Sequence, residues 1–252
     1  MKIVRFAVNR KIRYGILEGE SVREMAGTPF RALTPTGHEY SLREVRLLAP
    51  CQPSKIVCLG LNYRSHIEET KSHQPETPLL FIKPSTAVIG PEDKIIYPPS
   101  STHIDYECEL GVVIKKRASH VSQKEALSYV LGYTCVNDVT ARDHQAKDKQ
   151  WTRAKGFDTF APVGPCIETD LDPGNVWVET FLNGVRQQRA NTSDLLFGVP
   201  VLINFITNVM TLLPGDIIAT GTPSGISRML PGDTIEIKIA PIGTLRNYVI
   251  KG

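Results

Sequence analysis

The segment Asp105-Tyr106-Glu107-Cys108-Glu109 leads straight into the apolar run Leu110–Ile114. Its composition predicts a strand over Tyr106–Ile114, and side chains alternate faces along a strand, so Glu107 and Glu109 share one face. Two carboxylates side by side repel each other and need a cation, a shared proton or open water. The apolar neighbours argue against open water. A hard divalent ion such as Mg²⁺ or Mn²⁺ takes carboxylate oxygens readily; a solvated edge-strand face is the competing reading. Asp138 lies just past the apolar stretch Tyr133–Asn137, where Thr140-Ala141-Arg142-Asp143 begins a helix or loop. It would complete a three-carboxylate metal site, although capping that helix is the commoner role for such an aspartate.

A second pair invites acid–base chemistry. His66 and Glu69 become neighbours on one turn if Tyr63–Thr70 is helical. A carboxylate beside an imidazole fixes its tautomer and raises its basicity, which suits a general base acting on water. The next stretch, residues 71–78, is polar and broken by Pro75 and Pro78, as a mobile segment would be. The bland alternative is an exposed pair without function. Other chemistries lack their signatures: there is no GxGxxG, Walker A or HExxH pattern. Gly221-Thr222-Pro223-Ser224-Gly225 misses the serine-hydrolase elbow by one place and suits an ordinary loop.

These residues need a framework. The chain has 252 residues, 41% hydrophobic and 22% charged, with a formal net charge of +3. Such values fit a soluble globular protein and give no field that would favour nucleic acid or an anionic membrane. The uncharged stretch Leu195–Gly215 is interrupted by Pro200 and Pro214, leaving about 13 helical residues where a membrane span needs roughly 20. Five cysteines without a CxxC pair, behind a charged Met1–Phe6 start, lead us to expect a reducing cytoplasmic setting.

The pattern of elements predicts an α+β, β-rich fold. A hairpin of Met1–Val8 and Ile12–Leu17 is followed by turn-rich sequence around Gly27, Pro29, Pro35 and Gly37. Pro50 and Pro53 punctuate the chain, which divides it into a small β-rich N-terminal domain (1–52) and a larger one (53–252). Short strands dominate the latter, with Asn183-Gly184 as a hairpin turn. Two helices stand out: one after the capping box Ser122–Glu125, with Gly132 at its exit, and an amphipathic one over Val201–Leu213.

Seven motifs in this order resemble the fumarylacetoacetate hydrolase family, from about Ile56 to Val249. They are Gly60-Leu61-Asn62-Tyr63 with His66 and Glu69, Phe81 with Lys83-Pro84-Ser85, Glu107 with Glu109, Asn137-Asp138, Thr140–Asp143, Lys155–Asp158 and Gly221–Gly225. The resemblance implies a mixed β-sandwich roll with a small N-terminal domain, a homodimer, and Mg²⁺ or Mn²⁺ on Glu107, Glu109 and Asp138. It assigns catalytic roles to His66, Glu69 and Lys155, and substrate contacts to Lys83, Arg142, Gln145 and Thr222. It further implies a small-molecule 2-oxo acid substrate. The reaction would be C–C hydrolysis of 2,4-dioxo acids (acylpyruvates) or decarboxylation of oxaloacetate-like acids through a metal-held enolate. Two alternatives are an isomerase of 2-hydroxyhepta-2,4-diene-1,7-dioate-type intermediates and a non-catalytic 2-oxo acid binding protein.

Overall fold

The computed structural model describes residues 1–252. Strands β1 (Lys2–Val8), β2 (Lys11–Glu18), β3 (Ser21–Thr28) and β4 (Ala32–Ser41) form an antiparallel meander, and β5 (Arg46–Leu48) pairs with β1. The expected first hairpin is present, with Asn9 and Arg10 both at positive φ in its two-residue turn. The turn-rich reading of residues 27–37 is corrected: Gly27, Pro35 and Gly37 all lie in strands. Because β4 is the free edge of its sheet, Pro35 costs no ladder bond to a further neighbour.

The chain continues through β6 (Lys55–Gly60), α1 (Arg64–Thr70), β7 (Leu79–Pro84), β8 (Val88–Ile89), β9 (Lys94–Tyr97), β10 (Ile104–Asp105) and β11 (Cys108–Ile114). Then come β12 (Val130–Asn137), β13 (Thr140–Ala141), α2 (Arg142–Asp148), α3 (Thr152–Lys155) and β14 (Ala161–Glu168). The last part holds β15 (Trp177–Leu182), β16 (Val185–Asn191), α4 (Val199–Val209), β17 (Ile217–Ala219), β18 (Arg228–Met229), β19 (Thr234–Ile239) and β20 (Gly243–Lys251).

A 12-stranded mixed sheet follows the path β4-β3-β2-β1-β14-β12-β11-β17-β6-β7, with β5 paired to β1 and β8 to β14 beside it, so the N-terminal strands join it through the β1–β14 ladder. A five-stranded sheet, β16-β15-β19-β20-β9, packs on it. Leu110, Val112 and Ile114 of β11 belong to the main core together with Val178 of β15 and Ile235, Ile237 and Ile239 of β19, while Val113 joins a second cluster on the opposite face. Being covered on both faces, β11 reads as a continuous apolar run, and any acid on it is buried. No helix is long and apolar enough to cross a membrane.

Both predicted helices differ from their expected form. After the Ser122–Glu125 box there is only a single 3-10 turn at Ala126–Tyr129, and the Ser122 hydroxyl bonds the Glu125 carboxylate at 2.6 Å. The helix stops because Val130 already pairs with Ile114, starting the central strand β12. The amphipathic helix runs over Val199–Val209, with Pro200 in its first turn. It ends early because Met210 is extended and Leu212 exchanges two backbone hydrogen bonds with Ala118, both 2.9 Å.

Gly132 is therefore no helix exit. It lies within β12, where an added Cβ would come within 2.5 Å of the Glu168 carbonyl oxygen, a backbone atom that cannot swing away. Gly132→Ala should lower unfolding stability by about 1–3 kcal/mol in chemical denaturation, as overpacking does. An unchanged midpoint would refute this close strand approach.

Candidate active site

Register brings the acids together. Cys108 pairs with Asn137, so Glu107 and Asp138 stand opposite one another at the end of the β11–β12 ladder, and the Asp138 amide donates to the Glu107 carbonyl at 2.9 Å. The Asn137 side-chain oxygen accepts from the Glu107 amide at 3.0 Å, which holds the chain just before it enters β11. Glu109 is two residues further along β11. One oxygen from each of Glu107, Glu109 and Asp138 lies within 4.8 Å of the others, and all three side chains are buried. Asp138 is not a helix cap, since α2 starts from Ala141 without a side-chain cap.

Cations converge on this cluster from three elements. Lys155, at the end of α3, donates to Glu107 at 2.9 Å and to Asp138 at 2.6 Å. Lys83 of β7, fully buried, donates to the other Asp138 oxygen and to the Val139 carbonyl at 3.0 Å. Arg142 forks between Asp105, at 2.7 Å, and Glu107, and holds Gln145 at 2.8 Å. Of the acids near Arg142, Asp143 turns away to cap Ser101 and Thr102.

The balance of these charges differs between the acids. Burial pushes the Glu107 carboxyl up, but Lys155 and Arg142 outweigh it and hold the group well below the usual carboxylate range. Glu109 has no lysine or arginine bonded to it. Burial, then the negative charges of Asp138 and Glu107, push it well above the usual range. One of its oxygens accepts from the Gly221 amide at 2.7 Å; the other is buried without a hydrogen-bond partner. Gly221 aims its amide this way at φ 97°, where a Cβ would crowd Asn62 at 2.9 Å. Burial alone would lower the ammonium of Lys155, but Asp138 and Glu107 raise it, so it stays charged.

An all-oxygen donor set with an unpartnered buried carboxylate oxygen suits a hard divalent cation. Lys155 already bridges Glu107 and Asp138, so such an ion competes with an ammonium for the same oxygens.

A cavity of about 340 Å³ opens beside the cluster, lined among others by His66, Glu107, Arg142, Gln145, Lys155 and Thr222. The site residues named from sequence thus gather at one place, with Lys83, Asp138, Glu109 and Glu69 set behind the cavity wall: Lys83 and Lys155 bond Asp138, the Gly221 amide bonds Glu109, and His66 bonds Glu69. His66 is 8% exposed, and its Nδ1 lies 3.1 Å from Glu69, whose other oxygen accepts from the Gly225 amide at 2.9 Å. The predicted turn is real, as α1. Sequence reasoning missed the wall residues Leu59, Trp151 and Ile226. It also missed Gln188, which bonds Thr222; a glutamine in an exposed hairpin carries no signal of its own.

Two consequences of the Glu109 environment are measurable. Burial and its acidic neighbours favour the protonated form of Glu109, which must give up a proton to ligate a cation, so Mn²⁺ affinity by calorimetry should still be rising with pH above the ordinary carboxylate range. Saturating Mn²⁺ should raise the thermal midpoint of the wild type and leave that of Glu109→Gln nearly unmoved.

Comparison with known proteins identifies the family. Residues 55–250 match the family described as fumarylacetoacetate (FAA) hydrolase C-terminal, and residues 1–50 match the Rv2993c-like N-terminal family. The chain is 38% identical over 219 residues to the mitochondrial oxaloacetate tautomerase Fahd2a of Rattus norvegicus, covering 82% of this chain and 70% of that protein. It superimposes on 2-hydroxyhepta-2,4-diene-1,7-dioate isomerase from Mycobacterium marinum with TM-score 0.94 and 43% identity, over 100% of this chain and 98% of that one. A maleylpyruvate hydrolase from Sphingobium sp. SYK-6, in complex with manganese(II) and pyruvate, gives TM-score 0.83 and 29% identity over both whole chains. With its strand-rich fold, its buried acidic triad and a match spanning most of its length, the chain belongs to the fumarylacetoacetate hydrolase family.

Proposed function

We propose that this protein is a divalent-metal-dependent enzyme acting on 2-oxo acids, with hydrolysis of acylpyruvates as its first reaction. The observation that carries this reading is His66, held by Glu69, on the wall of a cavity that Glu107 and Lys155 also line. Glu107, Glu109 and Asp138 would hold Mg²⁺ or Mn²⁺. Bound there, the ion would supply Lewis-acid charge to the adjacent carboxylate and ketone oxygens of a 2-oxo acid.

The chain's own groups do the rest. Glu69 engages His66 Nδ1, which leaves Nε2 as the nitrogen free to take a proton from water. The resulting hydroxide attacks the C4 carbonyl. The C3–C4 bond then breaks, its electron pair passing to C3 to give the enolate of pyruvate, and the acyl group leaves as a carboxylic acid. The Lys155 ammonium offsets the negative charge as it develops. Arg142, with Gln145, and Thr222 would orient the substrate from the cavity wall.

A second reading has specific support: relatives at 38% and 43% identity are named for tautomerase and isomerase activity. Moving a proton between carbon and oxygen of a 2-oxo acid uses the same acids and lysine but needs no attacking water.

Pyruvate release from acetylpyruvate, coupled to lactate dehydrogenase, separates the two. Hydrolysis predicts pyruvate formation that stops with excess chelator and falls at least about 100-fold in His66→Ala, the usual weight of a general base. Loss of enol absorbance without pyruvate would replace hydrolysis by tautomerisation.

A further inference from the structure

Strand β16 is mostly solvent-facing: Val185, Arg186, Gln187 and Arg189 are all exposed, yet Gln188 among them is 1% exposed. Its side-chain oxygen accepts from the Cys108 amide at 3.1 Å and from the Thr180 hydroxyl at 2.7 Å. Its side-chain nitrogen donates to the Pro223 carbonyl at 2.8 Å and to the Thr222 hydroxyl oxygen at 2.9 Å. Only one orientation of the amide satisfies all four. The Cys108 N–H can only donate and the Pro223 carbonyl can only accept, so the oxygen must face Cys108 and the nitrogen must face Thr222.

This arrangement decides what the Thr222 hydroxyl can do. Toward Gln188 it is an acceptor, so its own proton is left for another partner. Thr222 is 5% exposed and lines the cavity beside Glu107 and Lys155, and no protein group accepts that proton. The same glutamine also links two parts of the site. Cys108 lies between Glu107 and Glu109, while Thr222 and Pro223 follow Gly221, whose amide binds Glu109. At the end of that loop, Gly225 sits at φ +93° with room for no Cβ, which would lie 2.4 Å from the Gln187 carbonyl oxygen. From there its amide reaches Glu69.

We propose that Gln188 is a positioning residue that holds the Thr222 hydroxyl as a hydrogen-bond donor into the cavity, aimed at a carboxylate or 2-oxo oxygen of the ligand. The proposal rests on the 2-oxo acid reading above. It assigns Gln188 to ligand affinity rather than to bond breaking.

Oxalate, which presents two adjacent oxygen-bearing carbons, is the probe, titrated by calorimetry with Mn²⁺ present. KM and kcat for acetylpyruvate and oxaloacetate are measured beside it. Gln188→Glu keeps the shape but replaces the donor with an acceptor that takes the Thr222 proton. It should weaken oxalate about tenfold and raise KM in proportion, with kcat within about twofold, as expected for one lost bond to a charged acceptor. Gln188→Met, which removes the donor without adding charge, should show a loss in the same direction. In a Thr222→Val background, Gln188→Glu should add less than about twofold, because the hydroxyl it orients is gone. A merely structural loss would persist there. Circular dichroism verifies folding, and Gln188→Met carries the comparison if Gln188→Glu unfolds. Equal oxalate affinity in wild type and folded variants, or additive losses in the double variant, overturns the proposal. If the wild type binds neither oxalate nor pyruvate and turns over no 2-oxo acid, the functional reading falls first, and the proposal with it.

Discussion

Taking Glu107, Glu109 and Asp138 out of water would cost several kcal/mol per ion if nothing answered their charge. Lys83 and Lys155 answer it, but their ammonium groups are buried as well and carry the same penalty, so neither side is stable without the other. The constraint is topological. Lys83 comes from β7, Lys155 from α3, Arg142 from α2, and the acids from β11 and β12, so five elements must end at one point for any of them to tolerate burial. The mixed order of the large sheet, with β11 and β12 central and β7 at its edge, delivers them there.

Backbone groups complete what side chains begin. Asn137 holds the Glu107 amide, Gly221 gives its own amide to Glu109, and Gly225 gives its amide to Glu69. Each of these donors is positioned by a strand end or by a glycine conformation that other residues adopt at a cost. The site is thus preorganised by the chain's rigid parts. Its one imbalance is Glu109, which no protein cation touches, and that imbalance is what a divalent ion would relieve.

Much of this was legible in the sequence because it depends on period and order. Alternation along Cys108–Ile114 and the apolar lead-in to Asn137 located the acids, and the spacing of His66 and Glu69 located their pair. The family resemblance supplied Lys155, Lys83, Arg142 and Gln145, which no spacing rule could reach. The failures have physical reasons. Ser122–Glu125 is a good local helix start, yet strand pairing at Val130 overrides it, since a central ladder outweighs one capped turn. Pro35 and Gly37 look like breakers but sit on a free edge that makes no demand on them. Gln188 was invisible because its burial arises from loop 221–225 folding over β16, a long-range contact.

The same preorganisation bears on why one family holds hydrolases, isomerases and tautomerases. All three reactions need a carbonyl oxygen polarised beside a carboxylate, a demand that a cluster of acids and a lysine would meet in each case. What distinguishes them is delivery of a proton or a water to one carbon, and room for the rest of the molecule. In the proposed reaction the first would fall to His66, held in α1 and tied through Glu69 to Gly225. The second is set by Trp151 and Phe81, packed edge-on at 5.1 Å, which line both the catalytic cavity and an apolar groove outside it. Trp151 keeps its place only because Gly60 lacks a side chain, whose Cβ would lie 2.7 Å from the indole. Differences in reaction among relatives are therefore to be sought at α1 and at the Gly60–Trp151 contact, where change leaves the buried charge balance intact.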